Sequence, residues 1–320
     1  MFHLRPIDPD TDFKRVAELM RLVWPSDTGQ NMEEAWRTQR DAAIRYTLGC
    51  DAADRIAGVG YVSCSNTNQH KDFRVEVVVD PACRRRGLGN LLYDDAQHFI
   101  SAQAGESISS FAWDNCPEGA RFAEHHGFIQ QGASFISVLD VAGFDEARFS
   151  GALERVQAQG IFFTTLADFG DTEEARFKCF ELNNRSMKPA FDNPDPSHAW
   201  PSFEVFTRSV CDSSWYRADG QIVAIDKATG EWIGLGAVGF ESDRVTAFNA
   251  YTGVDPRYRR RGIALALKLL VVRCARRHGC NTLRANNATR NTPMLAINNK
   301  MGYARLGAIL FYEKSLKAGR

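Results

Sequence analysis

The sequence predicts a mixed α/β (α+β) fold built twice in tandem, and three observations carry that reading. Residues 79–89 (VDPACRRRGLG) recur as residues 254–264 (VDPRYRRRGIA), an offset of 175. The same offset carries Gly127-Phe128 onto Gly302-Tyr303, and an offset of 176 carries Gly58-Val59-Gly60 onto Gly234-Leu235-Gly236. Around each match, strand-like segments come first, and a strand then crosses into a helix at an arginine-glycine turn.

Copy one opens with a short strand at 3–6 and a helix at 13–23 whose apolar residues fall at helical spacing. Strands at 45–48, 56–65 and 74–79 lead to the turn, where the helix 87–104 begins. A strand at 108–113, a helix at 118–125 and a strand at 134–141 close the copy. Copy two repeats the order: strand 160–166, helix 171–183, strands 222–226, 232–240 and 244–254. Its long helix, 262–278, stops at Gly279, a residue suited to the left-handed position after a helix. Strand 282–285, helix 293–301 and strand 308–313 follow. Between the copies, Phe149, Leu153 and Val156 predict a single linker helix over 144–159. The expected division is therefore 1–142, a linker at 143–159, and 160–320. Segment 188–202 carries four prolines, at 189, 194, 196 and 201, and reads as a long loop of the kind that covers binding clefts.

Composition excludes several classes. Lysine plus arginine equals aspartate plus glutamate, 39 against 39, so no overall field draws the chain to nucleic acid or to an anionic membrane. Disorder is excluded by 44% hydrophobic residues. The most apolar run, 263–272, is interrupted by Lys268 and is too short to span a bilayer. The N-terminus lacks a signal-peptide pattern, and eight scattered cysteines without a CxxC pair read as reduced thiols. A cytoplasmic protein with no metal is expected, a monomer (an internal pseudo-dimer) or a homodimer.

The chemistry lies in the turns. Arg84, Arg85 and Arg86 precede Gly87, Leu88 and Gly89, and Arg259, Arg260 and Arg261 precede Gly262, Ile263 and Ala264. Three cations at a helix N-terminus oppose the helix dipole unless a strong anion binds there. Small residues would let the backbone approach that anion. A dinucleotide fingerprint is excluded because Leu92 stands where its third glycine belongs, and a Walker loop because neither turn is followed by lysine and serine or threonine.

R-x-x-G-x-G/A after a V-x-P strand end, with a Gly-Phe or Gly-Tyr pair about 40 residues later, resembles the GNAT superfamily of acyl-CoA-dependent N-acyltransferases. The resemblance covers nearly the whole chain as two tandem copies. It is most specific in copy two, where N-x-x-x-N-x-x-M-L-x-I-N-x-x-M-G-Y runs from Asn287 to Tyr303. It implies two GNAT-like domains, each a mixed, mostly antiparallel twisted sheet flanked by helices, with the N-terminal one degenerate or non-catalytic. It also implies acetyl-CoA as co-substrate. Thr252, Gly253 and Val254 would pair with its pantetheine arm, and their amides would polarise the thioester. Arg259 to Ala264 would hold its pyrophosphate. Val77, Val78, Val79 and the turn from Arg84 to Gly89 have the same roles in copy one.

The implied reaction is direct attack of a primary amine, from a small molecule or a peptide, on the thioester. Such an amine must first lose a proton, which a carboxylate commonly removes. Glu76 on the copy-one strand and Asp192, with Asp195, in the proline-rich loop are candidate bases. The family's usual acid is a tyrosine seven residues after the asparagine that begins the last long helix. From Asn291 that place holds Asn298, and in copy one it holds Ala123. Asn287, Asn291 and Asn298 form a candidate polar cluster facing the donor, with helix capping as the alternative at Asn291. Two functions stay open: an acetyltransferase acting in copy two, or a non-catalytic CoA-binding or partner-docking protein.

Overall fold

The computed structural model describes residues 1–23, 44–64, 71–187 and 199–316. In chain order the strands and helices are β1 (His3–Pro6), α1 (Phe13–Met20), β2 (Arg45–Cys50), β3 (Ile56–Cys64), β4 (Asp72–Val79), α2 (Leu88–Ala102), β5 (Ser107–Trp113), α3 (Pro117–His125) and β6 (Ile129–Asp140). The chain continues through α4 (Ala152–Gln157), β7 (Ile161–Thr165), α5 (Glu173–Met187), α6 (Phe203–Phe206), β8 (Gln221–Asp226) and β9 (Trp232–Phe240). It ends with β10 (Thr246–Val254), α7 (Ile263–Arg277), β11 (Thr282–Ala288), α8 (Thr292–Met301) and β12 (Ala304–Ser315). Asp192 and Asp195, with most of the proline-rich segment, lie outside the described residues.

The chain forms two units. Unit 1 comprises Met1–Ala133 with Ala308–Arg320, and unit 2 comprises Ser134–Gly307. Strand order in unit 1 is β1-β2-β3-β4-β5-β12, and in unit 2 it is β7-β8-β9-β10-β11-β6. Within each unit the pairs are antiparallel except β4 with β5 and β10 with β11. The division differs from the contiguous 1–142 and 160–320 expected from the repeat. Residues 134–140 pair with β11, and Ile309–Ser315 pair with β5, so the closing strand of each copy completes the other unit's sheet.

The Gly-X-Gly repeat has a packing origin. A Cβ on Gly234 would lie 3.1 Å from Ile263 and Leu267, and one on Gly236 would lie 3.2 Å from Leu267. In unit 1, a Cβ on Gly58 would meet Leu92 at 3.1 Å. The glycines let the long helix lie directly on β3 or β9, and in unit 2 Ile263, Ala266, Leu267 and Val271 are buried there.

The linker is not the one helix expected. A 3-10 turn, Glu146–Phe149, precedes α4, and Gly151 between them has φ of +74°. That left-handed residue ends one helical path and starts another. Helix α1 ends at Met20 rather than 23, while α5 runs on to Met187 and β12 to Ser315.

Two features position the site. Strands β4 and β5 pair only from Asp72 to Arg74, and β10 and β11 only from Thr246 to Phe248. Beyond those residues the strands part into a wedge that opens toward the arginine-glycine turn. Strand β10 also carries a bulge between Asn249 and Tyr251, which β4 lacks.

Candidate active site

Each turn begins with a buried or half-buried aspartate after its strand. Asp255 accepts from the Arg257 amide at 3.0 Å, and Asp80 from the Ala82 amide at 3.0 Å. The next arginine folds back on the strand: Arg259 Nε donates to the Val254 carbonyl at 3.2 Å, and Arg84 Nε to that of Val79 at 3.1 Å. Arg260 and Arg85 then enter the left-handed region at φ of +62° and +61°, and Gly262 and Gly87 follow at +84° and +87°. The two turns therefore share one backbone. Strain of this kind in a non-glycine residue is rare and gathers at ligand clamps.

Each turn aims the first amides of a 15-residue helix, α7 or α2, at its mouth. Those amides have no partner within the helix, an arrangement that suits an anion. The three arginines are not equivalent. Arg259 also donates to the Ser186 carbonyl at 2.9 Å, so it braces the loop, while Arg260 is exposed. Arg261 bonds Gln159 Oε1 at 2.9 Å. In unit 1, Arg84, Arg85 and Arg86 are all exposed, and Arg86 lies over the Phe2 ring. Gly89 is small for packing, since its Cβ would meet the Phe122 ring at 3.2 Å.

From the unit 2 turn, the wedge leads past Val254, Gly253 and Thr252 to a polar group at its narrow end. The Thr252 hydroxyl is tied to the Asn249 carboxamide, with Thr252 Oγ1 3.1 Å from Asn249 Oδ1. On the other side, Asn298 Nδ2 donates to Asn287 Oδ1 at 2.6 Å. Asn298 is 2% exposed, and its Oδ1 has no hydrogen-bond partner; neither does the buried Tyr303 hydroxyl. Buried polar atoms left open in this way suit a bound ligand. Asn291 instead caps α8, accepting from the Met294 amide at 3.3 Å.

Unit 1 is poorer at the same places. Ala112, Cys116, Ala123 and Phe128 stand where unit 2 has Asn287, Asn291, Asn298 and Tyr303. Glu76, the candidate base of unit 1, is buried and ion-paired with Arg74 at 2.6 Å. Its counterpart Tyr251 bonds the Ser186 hydroxyl at 2.8 Å, and burial pushes its phenol up to about 12.

The repeat did not reveal Lys268, Asn249 or Tyr303 as site residues. Lys268 on α7 is 1% exposed, donates to Asn249 Oδ1 at 2.6 Å and lies 4.8 Å from the Tyr303 ring centroid. Its signal was visible: one charge inside the most apolar run. Among the described residues, two His/Cys/Asp groups with close ligand atoms also occur, His3-Cys50-Asp54 and Asp219-Cys274-His278. The second sits at the C-terminal end of α7, away from the turn.

Residues 184–303 match the family model described as "Acetyltransferase (GNAT) family", and residues 47–130 match that of the "Acetyltransferase (GNAT) domain". The chain belongs to the GNAT acetyltransferase family. It is a tandem member and an acetyltransferase. A mycothiol acetyltransferase of Gordonia bronchialis is 23% identical over 277 residues, covering 86% of this chain and 84% of that protein. The fold matches a tandem GNAT protein from the clavulanic acid biosynthesis pathway, with a TM-score of 0.75, 18% identity and full coverage of both chains. It also matches a GCN5-related N-acetyltransferase from Sphaerobacter thermophilus, with a TM-score of 0.74, 16% identity and coverage of 100% and 97%. No helix among the described residues is long and apolar enough to cross a membrane.

Proposed function

We propose that unit 2 transfers an acetyl group from acetyl-CoA, the donor used by this family, to a primary amine of a small molecule or peptide. The observation that carries the proposal is the continuous path from the Gly262 turn, along the unpaired side of β10, to the open Asn298 and Tyr303 atoms. The α7 amides and Arg260 would hold the pyrophosphate. The amides of β10 past its bulge would meet the thioester carbonyl, where a fixed N–H stabilises developing negative charge. Asn298 Oδ1 would accept from the donor's amide arm.

The acceptor amine, whose ordinary pKa is near 10, must arrive neutral or lose its proton in the cleft. The leaving thiolate has a modest basicity, about 8.5 for a simple thiol, so it can depart without a tyrosine acid. Unit 1 keeps the turn but has Ala123 and Phe128 in place of the polar end, which favours donor binding without turnover there.

Paired substitutions test this. Gly262→Val would force a branched side chain into φ of +84° and displace the cradle amides. Strain and lost contacts together cost about 3 kcal/mol, so acetyl-CoA turnover should fall about a hundredfold. Gly87→Val should leave most turnover intact. The reverse ranking, or no release of free CoA with any amine, would refute the proposal.

A further inference from the structure

We propose that Lys268 is a positioning residue of the donor cleft: through Asn249 it fixes the bulge of β10 whose amides meet the thioester carbonyl. This inference rests on the reading of unit 2 as the acetyl-transfer site.

Lys268 is 1% exposed, and its inward neighbours on α7 include Leu267, Leu269, Val271 and Val272. An ammonium is costly to bury, while methionine or leucine would fill the same volume without that cost. Core filling alone therefore gives no reason for a lysine at this place. Burial alone pushes it down to about 7, which limits the charge it carries near neutral pH. Its polar neighbours are Asn249 from β10 and Tyr303 from the segment after α8; burial holds the Tyr303 phenol well above its usual value, so it stays neutral.

Asn249 spans the bulge. Its Nδ2 lies 3.2 Å from the Ala237 carbonyl across the ladder, 2.8 Å from the Tyr251 carbonyl beyond the bulge, and 3.0 Å from Thr252 Oγ1. A carboxamide can be turned end for end with little change of shape, and only its hydrogen-bond partners choose the orientation. Lys268 Nζ carries N–H groups in either protonation state, and it donates to Asn249 Oδ1 at 2.6 Å. By donating to Oδ1, Lys268 turns Nδ2 toward the carbonyls of the bulge. Reversal would set an oxygen against two carbonyls, and the bulge would open.

Unit 1 lacks all three parts together. Val75 pairs with Val62 where Asn249 pairs with Val238, Tyr93 stands at the Lys268 place, and the β3–β4 ladder runs without a bulge. Lysine, asparagine and bulge thus occur as a set in the unit that keeps the polar end of the wedge.

The test uses the full chain with Lys268→Met and Lys268→Gln, the glutamine keeping a neutral donor. In Lys268→Met, amide exchange at residues 250–252 should rise at least tenfold, and kcat should fall at least tenfold. KM for acetyl-CoA should stay within threefold because the turn is intact. Lys268→Gln should restore both exchange and kcat to within threefold of wild type. Unchanged exchange in the methionine variant, a kcat within twofold of wild type, or no recovery by glutamine overturns the proposal. Should Lys268→Met not fold, Asn249→Ala, which removes the bridge from the strand side, is held to the same exchange and kcat thresholds. A wild type that neither binds nor turns over acetyl-CoA defeats the underlying functional reading, while the exchange measurement still decides whether Lys268 holds the bulge.

Discussion

Asp255 is 1% exposed and receives the Arg257 amide, the Arg257 guanidinium at 3.0 Å and Arg185 Nε at 2.8 Å. Burial opposes its ionisation, but these donors outweigh burial and hold the carboxyl down at about 2. A folded value below the unfolded one stabilises the protein above the ordinary carboxylate range. That contribution disappears as pH falls from about 4 toward 2. A drop of nearly two units corresponds to about 2 kcal/mol. Asp255→Asn should therefore lower the urea-unfolding free energy by about that amount at pH 7, and the gap between variant and wild type should close in acid. A gap independent of pH would contradict it. At this scale the sequence was legible where a residue belongs to the repeat, as Asp80 and Asp255 do. The ion pair of Glu76 with Arg74, two places along the strand on the same face, was not read from the sequence.

At the level of elements, close approach decides which glycines matter. A Cβ on Gly253 would collide with the Tyr251 hydroxyl and lie 2.7 Å from Ser186 Oγ, forcing β10 away from the end of α5. A Cβ on Gly60 would meet Leu92 at 3.6 Å, an ordinary contact. Overpacking costs about 1–3 kcal/mol, so Gly253→Ala should lower Tm by about 5 °C and slow turnover, whereas Gly60→Ala should shift Tm by no more than about 2 °C. Equal shifts in a thermal melt would argue against close packing as the cause. Strands and long helices were readable from spacing because their periods record burial directly. The break in the linker was not, because Phe149, Leu153 and Val156 keep helical spacing across the left-handed Gly151.

For the whole molecule, the consequential feature is the exchange of closing strands. Ile309 and Tyr312, 3% and 2% exposed, are buried in unit 1, although they belong to copy two by sequence. A chain ending at Gly307 would strip β5 of its neighbour and remove both side chains. At about 1.5–3 kcal/mol per buried large side chain, most of the stability of unit 1 would be lost. Hydrogen exchange should rise across β4 and β5 and stay near wild type in β9 and β10. Loss of protection confined to unit 2 would reverse this assignment.

The sequence by itself determined the duplication, the order of strands and helices, and the arginine-glycine turns, because each is written in residues close together along the chain. A glycine at φ near +85°, a capping aspartate and a helix start need only local geometry. Only the tertiary structure decided which unit each closing strand completes, since an identical ladder could form with either copy and the hydrophobic pattern of a strand does not name its partner. It also decided that Lys268, an anomaly in an apolar run, bears on Asn249 19 residues away in sequence. A contact between a helix and a strand depends on the register of the whole βα crossover, which no local pattern specifies.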